Sequence, residues 1–406
     1  MPNEPVRLYG PDFQSDPAGL FESMRSAHGP VVRVFLDGDV PAWLVLGYRE
    51  LHRVLSAPET FGNDSRRWNG WEAVPQDWPL MPLVFPVPNI QQAEGEQHRR
   101  HARVVDDALN GVEPYELRRV ITRIADRLID SFCASGRADL RPMYAHRLPA
   151  LVLCWTCGVD DDDRGDEFTA MITAMLDAGA DSQQAYTDLS AALHGLALER
   201  RAKPGADVVS RMIAHPAGYS DEELVVDLLA IIAAGQQTTA DWIGNALRLM
   251  LTDSRFSASM TGARSSAGEA LSQVLWEDSP CQIHAGRYAV HDVELGGQLL
   301  RKGDLVLLSL AAGNRDPRMR PDGSTTGERG NKAHLSFSHG EYRCPYPAQD
   351  IGETIATTGI EVLLDRLPDV ELAIPAQDLR WRPSPWVRGV ASLPVTFTPT
   401  LPPGAL

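Results

Sequence analysis

Cysteine is scarce in this sequence: five residues in 406, an odd number. That excludes a disulfide framework, which needs a dense and even set. Long hydrophobic runs are missing too. No segment reaches the roughly 18–20 apolar residues of a membrane span, and the longest candidate, Leu148 to Val159, has the length of a buried helix. Basic charge is in deficit. With 38 Lys and Arg against 54 Asp and Glu, the formal net charge is −16, which argues against general nucleic-acid binding. The opening Met1-Pro2-Asn3-Glu4-Pro5 lacks the charged and apolar regions of a secretion signal, so a cytoplasmic protein with no membrane association is expected. There is no G-x-S-x-G elbow, and His98 and His101 lack Cys, Asp or Glu ligands at zinc spacing. Neither internal repeats nor low-complexity linkers break up the chain.

What is present reads as one large domain, mainly α with small β sheets. A hydrophobic share of 43% and a charged share of 23% are those of a globular chain. Short β-like runs fall at Val31–Phe35 and Ala42–Leu46, and Tyr48–Leu55 reads as a short helix. A β-rich part is expected over about 30–60 and 285–310, and a helical body over about 91–285. The clearest helix opens at Ser220, where Ser220 and Glu223 have capping-box spacing, and runs to about Leu251, roughly 45 Å. Val293–Leu295, Gly296-Gly297 and Leu305–Leu308 read as strands with a glycine turn, and Trp381–Phe397 as a further hairpin. Cys154-Trp155-Thr156-Cys157 has redox or zinc spacing but lies in an apolar run with no second pair, so buried free thiols are expected. Trp68, Trp71 and Trp78 are read as packing residues rather than a pocket lining.

One cysteine stands apart. Leu335-Ser336-Phe337-Ser338-His339-Gly340-Glu341-Tyr342-Arg343-Cys344 is followed by Pro345-Tyr346-Pro347. Gly340 allows a tight turn with φ > 0 that brings the backbone near a flat ligand. Backbone N–H groups after the turn, and the N-terminus of a helix near Ala348–Leu363, are expected to stabilise a thiolate at Cys344. A structural turn ending in a buried cysteine also fits the loop alone. A second segment, Ala234-Gly235-Gln236-Gln237-Thr238-Thr239, lies inside the long helix. Its small residues suit either a ligand groove or a helix crossing.

Together these segments resemble the cytochrome P450 family. Phe337-x-x-Gly340-x-x-x-Cys344 is similar to the family's haem-binding loop over residues 335–347, and Ala234 to Thr239 to its A-G-x-[D/E]-T-T signature. Asn314-Arg315-Asp316-Pro317, Gly286-Arg287, the tail from Trp381 and the helix around His98 match in order. The resemblance implies the P450 fold and haem b (iron protoporphyrin IX), with Cys344 as the axial iron ligand. It implies cofactor contacts from His98, Arg287, Tyr342, Phe337, Gly340 and His339, and oxygen-side roles for Ala234, Gly235, Gln237 and Thr238. It also implies a monomeric monooxygenase of secondary metabolism, with a small-molecule substrate and electrons from a ferredoxin and ferredoxin reductase. Ile231, Ala234, Ile283-His284, Trp386-Val387 and residues 60–90 are the expected substrate contacts. Arg99, Arg103 and Arg343 are expected to form a basic docking patch.

Departures are equally visible. Gln273 and Trp276 stand where the family carries E-x-x-R, a Q-x-x-W variant that resembles an actinobacterial subset, with Gln273 and Trp276 expected to meet Arg329. Gln237 replaces an acid, Tyr342 a histidine, Ala102 an arginine and Tyr346 a glycine. These substitutions keep two alternatives open: a haem-binding sensor or assembly subunit without turnover, and peroxide-driven or non-oxygenating oxidation.

Overall fold

The computed structural model describes residues 6–10, 13, 16–75, 78, 81–160, 162–176, 181–253, 256, 263–319 and 331–402. Its axis is the helix Asp221–Thr252 (the central helix), 32 residues long. It starts where the sequence says it should. Ser220 Oγ accepts from the Glu223 N–H while Glu223 bonds back to the Ser220 N–H, and three acids occupy the first turn. Apolar residues appear on more than one side, because helices Arg147–Thr156, Ser182–Ala202, Ala263–Glu277 and Tyr346–Arg366 all pack on it. The Cys154 and Cys157 thiols are buried in this layer, and burial pushes Cys157 up to about 12 and Cys154 in the same direction. They are inert core residues.

Beside the helical body lies a six-stranded sheet in the order Val6–Arg7, Val31–Leu36, Val40–Val45, Leu305–Leu308, His284–Ala289, Phe61–Gly62. Leu305–Leu308 is buried at every position, as expected for an inner strand covered on both faces. The register slips between His284 and Arg287, so this strand presents its side chains irregularly just where two candidate site residues stand. Val293–Leu295 and Gln298–Leu300 form the glycine-turn hairpin. Trp68 and Trp78 are buried and pack with the half-buried Trp71, whose N–H donates to Ser65 O. They are packing residues.

One expectation needs correcting. The tail does not form one hairpin from Trp381 to Phe397. Trp381 bridges Val390, but Pro394–Thr396 leaves to pair with Arg137–Asp139 and Glu371–Leu372. The expected meeting of Gln273 and Trp276 with Arg329 falls on a residue outside the described ones. Gln273 donates to Glu277 (3.0 Å), while the Trp276 N–H donates to Asn331 O (3.3 Å) and its ring meets His334 edge-on. A different charge cluster ties this end of the fold together. Asp278 takes Arg248 at 2.7 Å and Arg388 at 2.8 Å, and both guanidinium groups lie over the Trp381 ring. It joins the central helix, the helix Ala263–Glu277 and the tail. No described helix is long and apolar enough to cross a membrane.

Candidate active site

The cysteine loop is held at both ends. Asn314, fully buried, donates to Leu275 O and Ser336 Oγ and accepts the Leu335 N–H at 2.7 Å. This is the physical role of the Asn-Arg-Asp-Pro segment. The Phe337 ring packs edge-on against Trp242 of the central helix, centroids 5.8 Å apart, which sets the loop one helical turn from Thr238. Between these anchors the chain folds back so that the Cys344 N–H donates to Phe337 O (2.9 Å). Ser338 (φ 63°) and Gly340 (φ 75°) make the reversal. A Cβ on Gly340 would come 2.2 Å from Leu55 O, so only glycine fits.

The Cys344 sulfur is half-buried, and loss of solvation, with Asp106 adding to it, pushes the pKa of the free thiol up to about 12. Among the described residues no N–H donates to Cys344 Sγ, which instead makes a weak contact to Pro345 O at 3.8 Å. The helix beyond it, Tyr346–Arg366, begins two residues after the sulfur.

On the sheet side, Arg287 is 1% exposed, and burial pulls its pKa down to about 10. Its Nη2 has no hydrogen-bond partner, and Nη1 reaches only Gly286 O at 3.2 Å. The Tyr342 ring lies 5.1 Å from this guanidinium and 4.1 Å from the His98 ring. A buried arginine without an anion costs several kcal/mol; it fits a carboxylate supplied from outside the chain. His98 is spoken for on both ring nitrogens, by Ile90 O at 2.9 Å and Glu341 O at 3.3 Å. His339 does not join this group. It is exposed and stacked on His52, centroids 4.4 Å apart, so its expected cofactor contact is not supported.

On the central helix, Ala234 is exposed and Ile231 and Thr238 are half-buried, although the helix lies in the middle of the molecule. This stripe faces an opening rather than a neighbour. Thr238 Oγ1 donates back to Ala234 O at 2.6 Å, the bond that bends helices locally. Gly235 serves a helix crossing. A Cβ there would approach Leu153 of the adjacent helix to 3.3 Å. Gln237 turns away from the opening, donating from Nε2 to Asp241 Oδ2 at 2.7 Å. Asp241 is 2% exposed, Arg141 and Arg382 each stand 3.6 Å from it, and burial raises its pKa.

Sequence reasoning missed Asp241, although its i+4 spacing from Gln237 was a usable signal. Also missed were the Arg67–Glu94 ion pair (2.6 Å) near Tyr342 and the buried Asp227, which takes His101 (2.7 Å), Tyr219 (2.6 Å) and the Ile90 N–H (2.7 Å). The expected basic patch is diluted: Arg99 pairs with Glu96 and Glu341, and Arg343 lies over the Tyr346 ring. Trp386 holds Gln282 and Ile283 through its carbonyl and leaves its own indole N–H unpaired.

The described residues contain no group of three or more His, Cys, Asp or Glu able to cage a metal ion. They do offer one half-buried sulfur, one orphaned buried guanidinium and an open helix face. That set suits a metal carried in a planar anionic macrocycle with a single protein ligand.

No protein-family model matches the chain. It is 28% identical over 398 residues to the cytochrome P450 monooxygenase PikC of Streptomyces venezuelae, covering 96% of this chain and 92% of the relative. It is 29% identical over 393 residues to the mycinamicin IV hydroxylase/epoxidase of Micromonospora griseorubida, at 94% and 95% coverage. The structure of CYP154C4 from Streptomyces sp. W2061 superposes with a TM-score of 0.85 at 27% identity, over 97% of this chain and 98% of that one. Cysteine loop, central helix and end-to-end likeness agree, and along its whole length the chain is similar to bacterial cytochrome P450 monooxygenases.

Proposed function

We propose that this protein is a haem-thiolate monooxygenase acting on a small natural product, with haem b as cofactor. In this reading it works as a cytoplasmic monomer fed by a ferredoxin and its reductase. The observation that supports it is the Phe337–Trp242 contact, which anchors the cysteine loop on the central helix one turn from Thr238. Bound there, haem supplies the reductive activation of dioxygen. Cys344 would hold the iron. Arg287 would neutralise a carboxylate of the cofactor with its free Nη2, and Tyr342 packs between Arg287 and His98. Phe337 and Gly340 shape the loop. Ala234 would leave room for dioxygen, and Thr238 would supply a hydroxyl for proton delivery. Ile231, Ala234, His284, Trp386 and Val387 flank the substrate space. His284 stays neutral there, since burial takes its pKa down to about 3, and it offers a hydrogen bond without charge.

Gln237 supports a second reading. An amide does not give up and regain a proton as a carboxylic acid does, and this one is tied to Asp241. Weak turnover, or peroxide-driven oxidation that bypasses proton delivery, follows from that. Turnover of candidate natural products with a ferredoxin system and with peroxide separates the readings. Product from the ferredoxin route supports monooxygenation. Product from peroxide alone supports the bypass, and background from both supports a haem-binding protein without turnover.

A further inference from the structure

The helix behind the axial cysteine starts at Tyr346, with Pro345 as its N-cap. A helix start normally offers several free backbone N–H groups to a nearby negative charge. Here the residues after the cysteine read Pro345-Tyr346-Pro347-Ala348, and proline carries no N–H. Half of the donors nearest the sulfur are therefore missing. Of the flanking donors, the Cys344 N–H goes to Phe337 O and the Gln349 N–H to Pro345 O, which leaves Tyr346 and Ala348 to supply N–H groups at the helix start. Among the described residues none reaches Cys344 Sγ.

Side chains do not make up the loss. Arg343, the adjacent cation, lies over the Tyr346 ring at 4.3 Å and bonds to Gly340 O at 3.3 Å. Asp106, half-buried on the helix Gly95–Asn110, is close enough to oppose negative charge on the sulfur. Hydrogen bonds to a metal-bound thiolate draw charge away from it. Without them more charge reaches the metal, and the oxidised state is favoured.

We propose that Pro345 and Pro347 are tuning residues: by withholding two backbone donors from the Cys344 sulfur, they make it a stronger electron donor and lower the reduction potential of the bound iron. The inference rests on the haem-thiolate reading above. It also implies that the electron donor has to be strongly reducing.

The test is a spectroelectrochemical titration of the haem-loaded full-length chain and its Pro345→Ala, Pro347→Ala and doubly substituted forms. The Soret band of each reduced carbon monoxide adduct is recorded alongside. Each alanine restores an N–H, so the midpoint is expected to move upward in at least one single variant and furthest in the double one, with a matching shift of the band. A double variant that binds haem with unchanged midpoint and band overturns the inference. Should the double variant not retain haem, the singles decide on the same criterion. A parent chain that takes up no haem contradicts the proposed function itself, which is a separate failure.

Discussion

Gln237 and Asp241 show how a single residue changes meaning once its neighbours are known. In the sequence, Gln237 is a missing acid. In the structure it is an amide donor at 2.7 Å to a buried carboxylate flanked by Arg141 and Arg382. Replacing it by glutamate does not simply restore an acid; it sets two carboxylates against each other, one of which must hold a proton. Gln237→Glu alone is expected to cost about 1–3 kcal/mol in a urea melt and to gain little turnover. Adding Asp241→Asn should recover the stability. A fully stable single variant would show that the two side chains do not meet. Arg287 gives a second residue-scale prediction. Arg287→Leu removes an unpaired buried cation, so the cofactor-free protein should be at least as stable as the parent. Its hemin affinity should fall roughly tenfold or more, the value of a charge-assisted hydrogen bond of ~1.5–3 kcal/mol. Unchanged affinity in a hemin titration would remove Arg287 from the site.

At the scale of elements, the cysteine loop depends on one close backbone approach. Gly340→Ala adds a Cβ where Leu55 O stands 2.2 Å away and imposes a positive φ on alanine. A loss of at least ~2 kcal/mol in thermal or urea unfolding is expected, with faster loss of haem to an acceptor apoprotein. Native stability and retention in that variant would mean the loop does not run past Leu55. The central helix and this turn were both legible beforehand, because their signals are local: a capping box at Ser220 and Glu223, and a glycine placed to reverse the chain before a cysteine. The tail was not legible in full. A strand such as Pro394–Thr396 carries no mark of its partner, and here the partner is the distant Arg137–Asp139. Nor was the use of Gly235 decidable, since a groove and a helix crossing ask for the same small residue. Contact with Leu153 decided it. His339 misled because its nearness to Cys344 in sequence is undone by the turn, which sends it out to His52.

For the whole molecule, half-buried titratable groups set a direction with pH. Burial holds His284 neutral to about 3 and His334 to about 4, whereas an unfolded chain protonates histidine near 6.5. Between those values the unfolded state binds more protons, so stability present near pH 7 is lost as pH falls through about 6 to 4. Glu223, held down to about 2 by its bond to Arg100, adds a loss in the same direction below about 4.5. The urea midpoint should therefore decline steadily from pH 7 to pH 4. A flat profile would contradict the loss of solvation at these groups. Overall likeness and chemistry meet in one atom, the Cys344 sulfur. Its ligation is tested most directly by adding hemin to the purified chain and to Cys344→Ala and recording the reduced carbon monoxide spectra. The parent should show the long-wavelength Soret band of thiolate ligation, and the alanine variant should lose it. The same spectrum from both proteins would contradict the account.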